Sequence, residues 1–506
     1  MDVPLAPISV ARVRRPAAVG TICLGLYLLG MDLTVLNVAL PDIQKELHPS
    51  TAQAQWIVDG YALVLGGLVL STGAVTDRIG RRLAFTSGLI LCAAVSVIGA
   101  LATSPGVVVI ARGGMGAGAA LFMPATLSII RNLFPEPALR RRAIAAWSAV
   151  AGLGTLTGPV IGGVLVERFS WRAGFWINVP LALTAVLLAL VLVPETRAGR
   201  AERPDIVGTV LSAAGLTILV WAVIEAPTKG WTSQPVLIAF VAAGVLLGAL
   251  AIWQSRARAP MLPPFLLRDR RIVGGTVALA MMSFAVLGAL FVLTLYLQNI
   301  LGYTPLEAGL RTLPQSAAMA AGAVAALPLL NRCRAAMPII LGLLLASAAF
   351  SFWALTTPGS GYGRLLAVEL VAGLGVGLVS AAGTEAVIGA IPPDRAALGS
   401  ALNDATRQVG ASLGVAVQGS VLATVYTNQL TRRLTDLHLT SPSASRPTGR
   451  GLPGSMTTDQ LSPEIGRAVT AAIRSAFVDA LDVTAAVAAA VTLVTAVAAA
   501  YWLRHR

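Results

Sequence analysis

The sequence predicts an all-α integral membrane protein with fourteen transmembrane helices. Hydrophobic residues fill 56% of its 506 positions and charged residues only 12%, against roughly 25% charged in a soluble domain. The apolar residues cluster in runs of about 20, the length that crosses a bilayer. Pro, Gly and charge sit between the runs, where helices must stop. A chain this poor in charge has no means of covering itself in water, so the lipid bilayer is its first partner.

In chain order the runs are 17–40, 52–74, 83–103, 105–130, 141–166, 172–193, 205–225, 236–255, 272–298, 306–328, 335–356, 364–391, 396–426 and 478–503. The first follows Arg12, Arg14 and Arg15, as a signal peptide would. It is too long for one, holds Asp32 and lacks a small-residue cleavage site, so it reads as a retained helix. Gly and Ala inside the runs point to closely packed helices. Basic residues concentrate in "DRIGRR", "RNLFPEPALRRR", "RAGRAERPD" and "RARAPMLPPFLLRDRR". That asymmetry places these loops and both termini on the cytoplasmic side of a plasma (inner) membrane. The stretch 427–474, rich in Ser, Pro, Gly and Arg, reads as a long external connector, and long loops translocate largely regardless of charge.

Several function classes are excluded. The net charge of +14 lies in short loops rather than on one face, which argues against nucleic acid. The lysines are Lys45 and Lys229, and neither follows a glycine-rich loop, so no phosphate cradle for ATP is present. Cys23, Cys92 and Cys333 lie far apart, and His48, His438 and His505 all fall outside the apolar runs. Neither a metal site nor a resident cofactor is expected, and no catalytic constellation marks an enzyme.

An internal repeat is visible. "RGGMGAGAALFMP" in the fourth run and "VAGLGVGLVSAA" in the twelfth both carry G-x-G-x-G, at Gly114, Gly116, Gly118 and at Gly373, Gly375, Gly377. "TDRIGRR" has an echo in "LNRCR" at nearly the same offset. The pattern divides the chain into a six-helix bundle (1–198), two inserted helices (199–260) and a second six-helix bundle (261–506), the build of many secondary transporters. In this register Arg112 matches Val371 and Asp77 matches Asn331, so charge is concentrated in the first half.

Ionisable residues inside a membrane mark function by default. Asp32, Asp59 and Arg112 each lie seven or eight residues from the outer end of their helix, which at 1.5 Å per residue is about 10–12 Å deep. One depth on three helices suggests a shared polar cavity for a proton or a cationic substrate. Glu385, Asp404 and Arg407 are secondary candidates near the other face, with Asp404 and Arg407 spaced for a local ion pair. Glu369, Glu225 and Glu307 fall near run ends and read as solvated. Gln298 is a weak candidate for lining a path.

These residues resemble the major facilitator superfamily, and within it the fourteen-span drug:proton antiporters of the QacA/EmrB type. "GAVTDRIGRR" is similar to the superfamily's loop between spans two and three. The resemblance implies a cytoplasmic gating loop of Gly73, Asp77, Arg78, Gly80, Arg81 and Arg82, with Val75 and Thr76 departing from the usual Leu and Ala. "ARGGMGAG" is similar to the span-four pattern, which implies proton coupling at Arg112, although Met115 stands where Gln is common. "GTLTGPVIGG" resembles the antiporter signature of span five and points to Gly154, Gly158, Pro159, Gly162 and Gly163 as a seal against proton leak. "MDLTVLNVALP", "WRAGFWINVP" and "LYLQNILGYTPLEAGLRTLP" resemble further stretches of the fourteen-span group. The resemblance implies a monomeric major facilitator fold that exports lipophilic, in part cationic, drugs or antibiotics, driven by the proton gradient without a cofactor. Its rivals are a metabolite facilitator or importer of the same fold, or a membrane sensor that no longer transports.

Overall fold

The computed structural model describes residues 8–134, 136–197, 204–257, 259–263, 266, 268–332, 335–357, 359–391, 396–436 and 463–504. Among them it is wholly helical, with fourteen spans long and apolar enough to cross a membrane. The elements of the first half are α1 (Ile8–Leu47), α2 (Thr51–Ile79), α3 (Arg81–Ala100), α4 (Pro105–Leu133), α5 (Pro137–Arg168), α6 (Ala173–Trp176) and α7 (Asn178–Leu192). An inserted hairpin follows, α8 (Ile206–Lys229) and α9 (Gln234–Arg256). The rest comprises α10 (Arg270–Leu295), a π-helical turn (Tyr296–Ile300), α11 (Pro305–Arg311), α12 (Leu313–Arg332), α13 (Ala336–Trp353), α14 (Tyr362–Ile388), α15 (Ala396–Asp436) and α16 (Pro463–Arg504). The short pieces α6 and α11 open the sixth and tenth spans.

Local chemistry places the helix ends. Ser50 and Gln53 form a capping box that starts α2, and Thr304 and Glu307 do the same for α11. Gly80, at φ 119°, makes the tight turn from α2 into α3, a backbone angle that side chains disfavour. The expected connector 427–474 is shorter than its composition suggests. Both flanks continue as helix, α15 to Asp436 and α16 from Pro463, while 437–462 lie outside the described residues. Across Thr427–Asp436 Leu430 is buried and Arg433 pairs with Asp479 of α16 at 2.7 Å, tertiary contacts that composition does not report.

The two halves repeat the same helix crossings. Gly118 on α4 packs against the Gly88 carbonyl of α3, and Gly375 on α14 packs against that of Gly342 on α13. Gly116 meets the Tyr61 backbone of α2, and Gly373 meets that of Gln315 on α12. Gly154, Gly158 and Gly162 of α5 face Tyr27, Met31 and Val35 of α1. Gly410, Gly414 and Gln418 of α15 face Ala280, Phe284 and Gly288 of α10. These crossings correct the register read from the glycine motif by two residues. Gly116 and Gly118 correspond to Gly373 and Gly375, so Arg112 corresponds to Glu369 rather than Val371. Repeated G-x-G steps look alike when slid by two, and only the partner helix fixes the phase.

With an even number of spans both chain ends share one face, here the terminal face. The halves approach each other at the opposite, far end. There Gln298 Nε2 donates to the Val38 carbonyl at 2.9 Å, the Leu306 amide donates to Glu167 at 3.3 Å, and Gly163 abuts Pro305 and Leu306. Deeper in the bundle, Gly66 of α2 rests on Gln408 and Val409 of α15.

The hairpin packs where the halves join. Val220, Val223 and Ile224 of α8 form a cluster with Ala52 and Leu63 of α2 and Ala416 of α15, and Ser420 Oγ of α15 donates to the Val223 carbonyl at 2.7 Å. One carboxylate clamps the hairpin's base. Asp205 caps α8 through the Gly208 amide (2.8 Å) and accepts from Trp253 Nε1 (2.8 Å), Gln254 Nε2 (2.7 Å) and the Met261 amide (3.4 Å). Burial raises its pKa, but the four donors outweigh burial and leave it below the ordinary aspartate value. A depressed carboxylate stabilises the folded state at neutral pH and loses that contribution as the pH falls below about 4. Asp205→Ala should therefore raise amide exchange across 206–256 at neutral pH by the equivalent of about 1–2 kcal/mol. The difference from the parent protein should vanish in acid; equal protection at neutral pH would show that the clamp does not hold the hairpin.

Candidate functional site

Asp32 and Arg112 meet in the interior of the first half. Arg112 Nη1 lies 2.7 Å from Asp32 Oδ2, with the two side chains 2% and 1% exposed. The pair is held on all sides. Asn178 Nδ2 at the start of α7 donates to Asp32 Oδ1 at 2.9 Å, and Arg112 Nε donates to the Ile57 carbonyl at 3.0 Å. The guanidinium carbon stands 4.6 Å from the centre of the Tyr61 ring. Helix packing sets this geometry. Gly116 lets α4 touch the backbone of α2 at Tyr61, which brings Arg112, one turn earlier, beside Ile57. Gly30, whose Cβ would lie 2.5 Å from the Ala151 carbonyl, and Gly162, 2.9 Å from that of Val35, let α1 lie against α5. Thr34 Oγ1 adds a bond to the Thr155 carbonyl across that seam, and Tyr27 and Thr157 share another at 2.9 Å.

Asp59 is not part of this pair. It is buried on another side of α2, pointing at Ser412 of α15, and neither of its oxygens has a well-formed hydrogen bond among the described residues. Its position along α2 was legible in the sequence, but the face of α2 on which it lies was not. Asn178 was missed altogether. Its signal was a polar residue in "FWINVP", inside an otherwise apolar span.

The loop between α2 and α3 is ordered by a residue the sequence reading passed over. Glu195, just after α7, accepts from the Arg82 and Leu83 amides at 3.1 Å each and pairs with the Arg82 guanidinium at 3.9 Å. It thus caps the amino terminus of α3, where a negative charge is favoured. A Cβ on Gly80 would strike it at 2.6 Å. Asp77 pairs with Arg81 at 3.1 Å, Arg78 is exposed, and Gly73 lies near Pro124 of α4. The span-five glycines form the α1 seam, while Pro159 and Gly163 meet α11, where Gly309 abuts the Pro159 carbonyl.

The secondary candidates separate. Asp404 and Arg407 form no ion pair. Arg407 Nη2 reaches α14 instead, at Thr384 Oγ1 (3.0 Å) and the Ser380 carbonyl (3.3 Å), and Asp404 receives Asn403 Nδ2 at 3.4 Å. Helix spacing permits such a pair without requiring it, and the acceptors on α14 win. Glu385 is exposed, and Glu369, expected at a solvated end, is buried. Its burial follows from the cover of α10, α12 and α13, which the run's limits do not reveal. Among the described residues no group of three or more metal-ligating side chains occurs.

Comparison with known proteins bears on what this arrangement serves. The model of the Major Facilitator Superfamily matches residues 22–415. The chain belongs to that superfamily. It is 36% identical over 406 residues to the tetracenomycin C resistance and export protein of Streptomyces glaucescens, covering 79% of this chain and 75% of the relative. It is 36% identical over 425 residues to the puromycin resistance protein pur8 of Streptomyces alboniger, covering 83% of each. Among solved structures, an inward-facing, occupied bacterial homologue of the human lysosomal transporter Spinster superposes with a TM-score of 0.62 at 19% identity, over 95% of this chain and 96% of that one. An auto-inhibited POT family peptide transporter gives 0.64 at 16% identity, over 97% of both. These two likenesses concern the fold alone. The superfamily member described here is a multi-pass membrane protein and a transporter rather than an enzyme.

A buried ion pair that loses one partner leaves an uncompensated charge, which costs about 3–5 kcal/mol. Arg112→Met should lower the unfolding midpoint in detergent, and adding Asp32→Asn to it should recover most of the loss. A double variant no more stable than Arg112→Met would mean that the two side chains do not neutralise each other.

Proposed function

We propose that this superfamily member is a proton-coupled exporter of lipophilic, in part cationic, small molecules, in the manner of a drug:proton antiporter. The carrying observation is the Asp32–Arg112 pair, a carboxylate buried inside the fourteen-span bundle, its charge met by one guanidinium and its other oxygen accepting from one amide. Relatives named for antibiotic resistance and export support the drug-export part of this reading. Both termini are assigned to the cytoplasm of a plasma-membrane protein, which makes the far face external. Contacts between the halves at that face then correspond to a state open toward the cytoplasm.

The working cycle follows from charge balance. A proton from outside neutralises Asp32 and ends the ion pair, leaving Arg112 to seek another anion. The energy available is ample, at about 2.3 kcal/mol for each charge moved across 100 mV. The halves, 1–198 and 261–506, rock about the shared centre, with the hairpin 199–260 bridging them. Asp59 lies on the seam between α2 and α15 and is assigned to the external gate. Asp77, Arg78, Arg81 and Arg82, ordered by Glu195, latch the cytoplasmic side when the far face opens. The glycines 154, 158, 162 and 163 with Pro159 keep α5 sealed against α1 and α11, so that protons do not leak past Asp32. Glu385, Asp404 and Arg407 are assigned to the cytoplasmic approach to the cavity. The transport unit is a monomer, needs no cofactor and runs on the proton gradient.

In proteoliposomes, Asp32→Asn should cut substrate-driven proton movement at least about tenfold, equivalent to about 1.4 kcal/mol, while gel filtration still shows a folded monomer. Proton movement at the parent rate would remove Asp32 from the coupling path and with it this reading.

A further inference from the structure

The corrected repeat register brings Glu369 to the position that Arg112 holds in the first half. Both lie seven residues inside the helix that carries them, α4 from Pro105 and α14 from Tyr362, or about 10 Å deep. Their surroundings differ in one respect. The crossings of α1 on α5 and of α10 on α15 make Ala285 the counterpart of Asp32, so the second half offers no charged side chain where the first half places its ion partner.

Glu369 is 2% exposed, and neither carboxyl oxygen has a well-formed hydrogen bond among the described residues. It lines a small cavity with room for about one water molecule. The rest of the lining comes from α14 itself and from α10 (Ala289, Leu290, Leu293), α12 (Gln315) and α13 (Phe350, Trp353), and offers no titratable side chain. Trp353 Nε1, also buried, has no acceptor among the described residues. On its own helix, Tyr362 lies nearest, but its hydroxyl donates to the Arg311 carbonyl at 2.9 Å. The Arg311 guanidinium is engaged elsewhere, stacked 3.7 Å from the Tyr303 ring centre and 5.5 Å from that of Tyr362, with Nη1 on the Glu307 carbonyl.

A buried carboxylate with no ion partner and no well-formed hydrogen bond costs several kcal/mol. At the matching position the first half meets that problem for Asp32 with an arginine. No basic side chain lines the Glu369 cavity, and it is too small for an organic cation. A proton is the cation that fits. We propose that Glu369 is a second proton-binding site of the transporter, neutralised by a proton in the state described here and giving it up to water when the second half opens its cavity. The site is built from the same helix positions as the Asp32–Arg112 pair, with the arginine replaced by an exchangeable proton. It adds a proton-carrying group to the export reading above and rests on that reading only for its place in the cycle.

Infrared difference spectroscopy on the purified full chain, titrated with alkali, tests the site without any transported compound. The parent protein should lose a protonated-carboxyl band that exchanges in heavy water. Glu369→Gln should lack that band, Glu369→Asp should show it shifted, and Trp353→Phe, which keeps the acid but removes the cavity's N–H, should shift it as well. If Glu369→Gln fails to fold, the Asp and Phe variants carry the test. Difference spectra that superimpose on the parent's in every folded variant would overturn the proposal. This readout is independent of proton movement in proteoliposomes, so failure of Glu369 as a proton site and failure of the export reading are told apart.

Discussion

The ion pair between Asp32 and Arg112 is the constraint on which the rest of the first half depends. Two opposite charges 2.7 Å apart attract far more strongly in a low-dielectric interior than in water, but each has also lost its hydration. Such a pair persists only when the remaining lone pairs and N–H groups find partners. Asn178, the Ile57 carbonyl and the Tyr61 ring supply them. Those partners come from α7 and α2, while the charges come from α1 and α4. Four elements must therefore hold their positions for the charge to stay balanced.

Glycines allow that precision. In a bilayer no hydrophobic effect draws helices together, so close backbone contact has to supply the attraction. Gly116 against Tyr61, Gly88 against Gly118, and the α5 glycines against α1 bring main chains to distances that a Cβ would block. The second half repeats these crossings with its own glycines. The scaffold is thus conserved between the halves while the charges it displays are not. At the matching position on α4 and α14 one half holds the arginine of a salt bridge and the other a carboxyl with no ion partner.

The hairpin of α8 and α9 is a third body rather than a passive insertion. It packs on α2 and α15 together, the helices along which the halves touch. Ser71 of α2 meets both Thr209 and Met261, so the Asp205 clamp and the central seam are directly connected.

The sequence by itself determined the class of molecule, the fourteen spans and the superfamily, and it singled out Asp32 and Arg112 among the charges inside the apolar runs. These depend on run length, on composition and on motifs with local spacing, which a single chain states directly. It also stated where along its helix each of Asp32, Asp59 and Arg112 lies, because rise per residue is constant. Only the tertiary structure decided which charge meets which. Azimuth around a helix and the phase between helices are set by contacts with partners distant in the chain, and these placed Asp59 on the α2–α15 seam, turned Arg407 away from Asp404 and brought Asn178 to Asp32. For the same reason Glu369 changed from a solvated end to a buried acid. Its neighbours on α10, α12 and α13 are remote in sequence, and a repeat of alternating glycines fits its partner equally well two residues out of register until a facing backbone chooses between them.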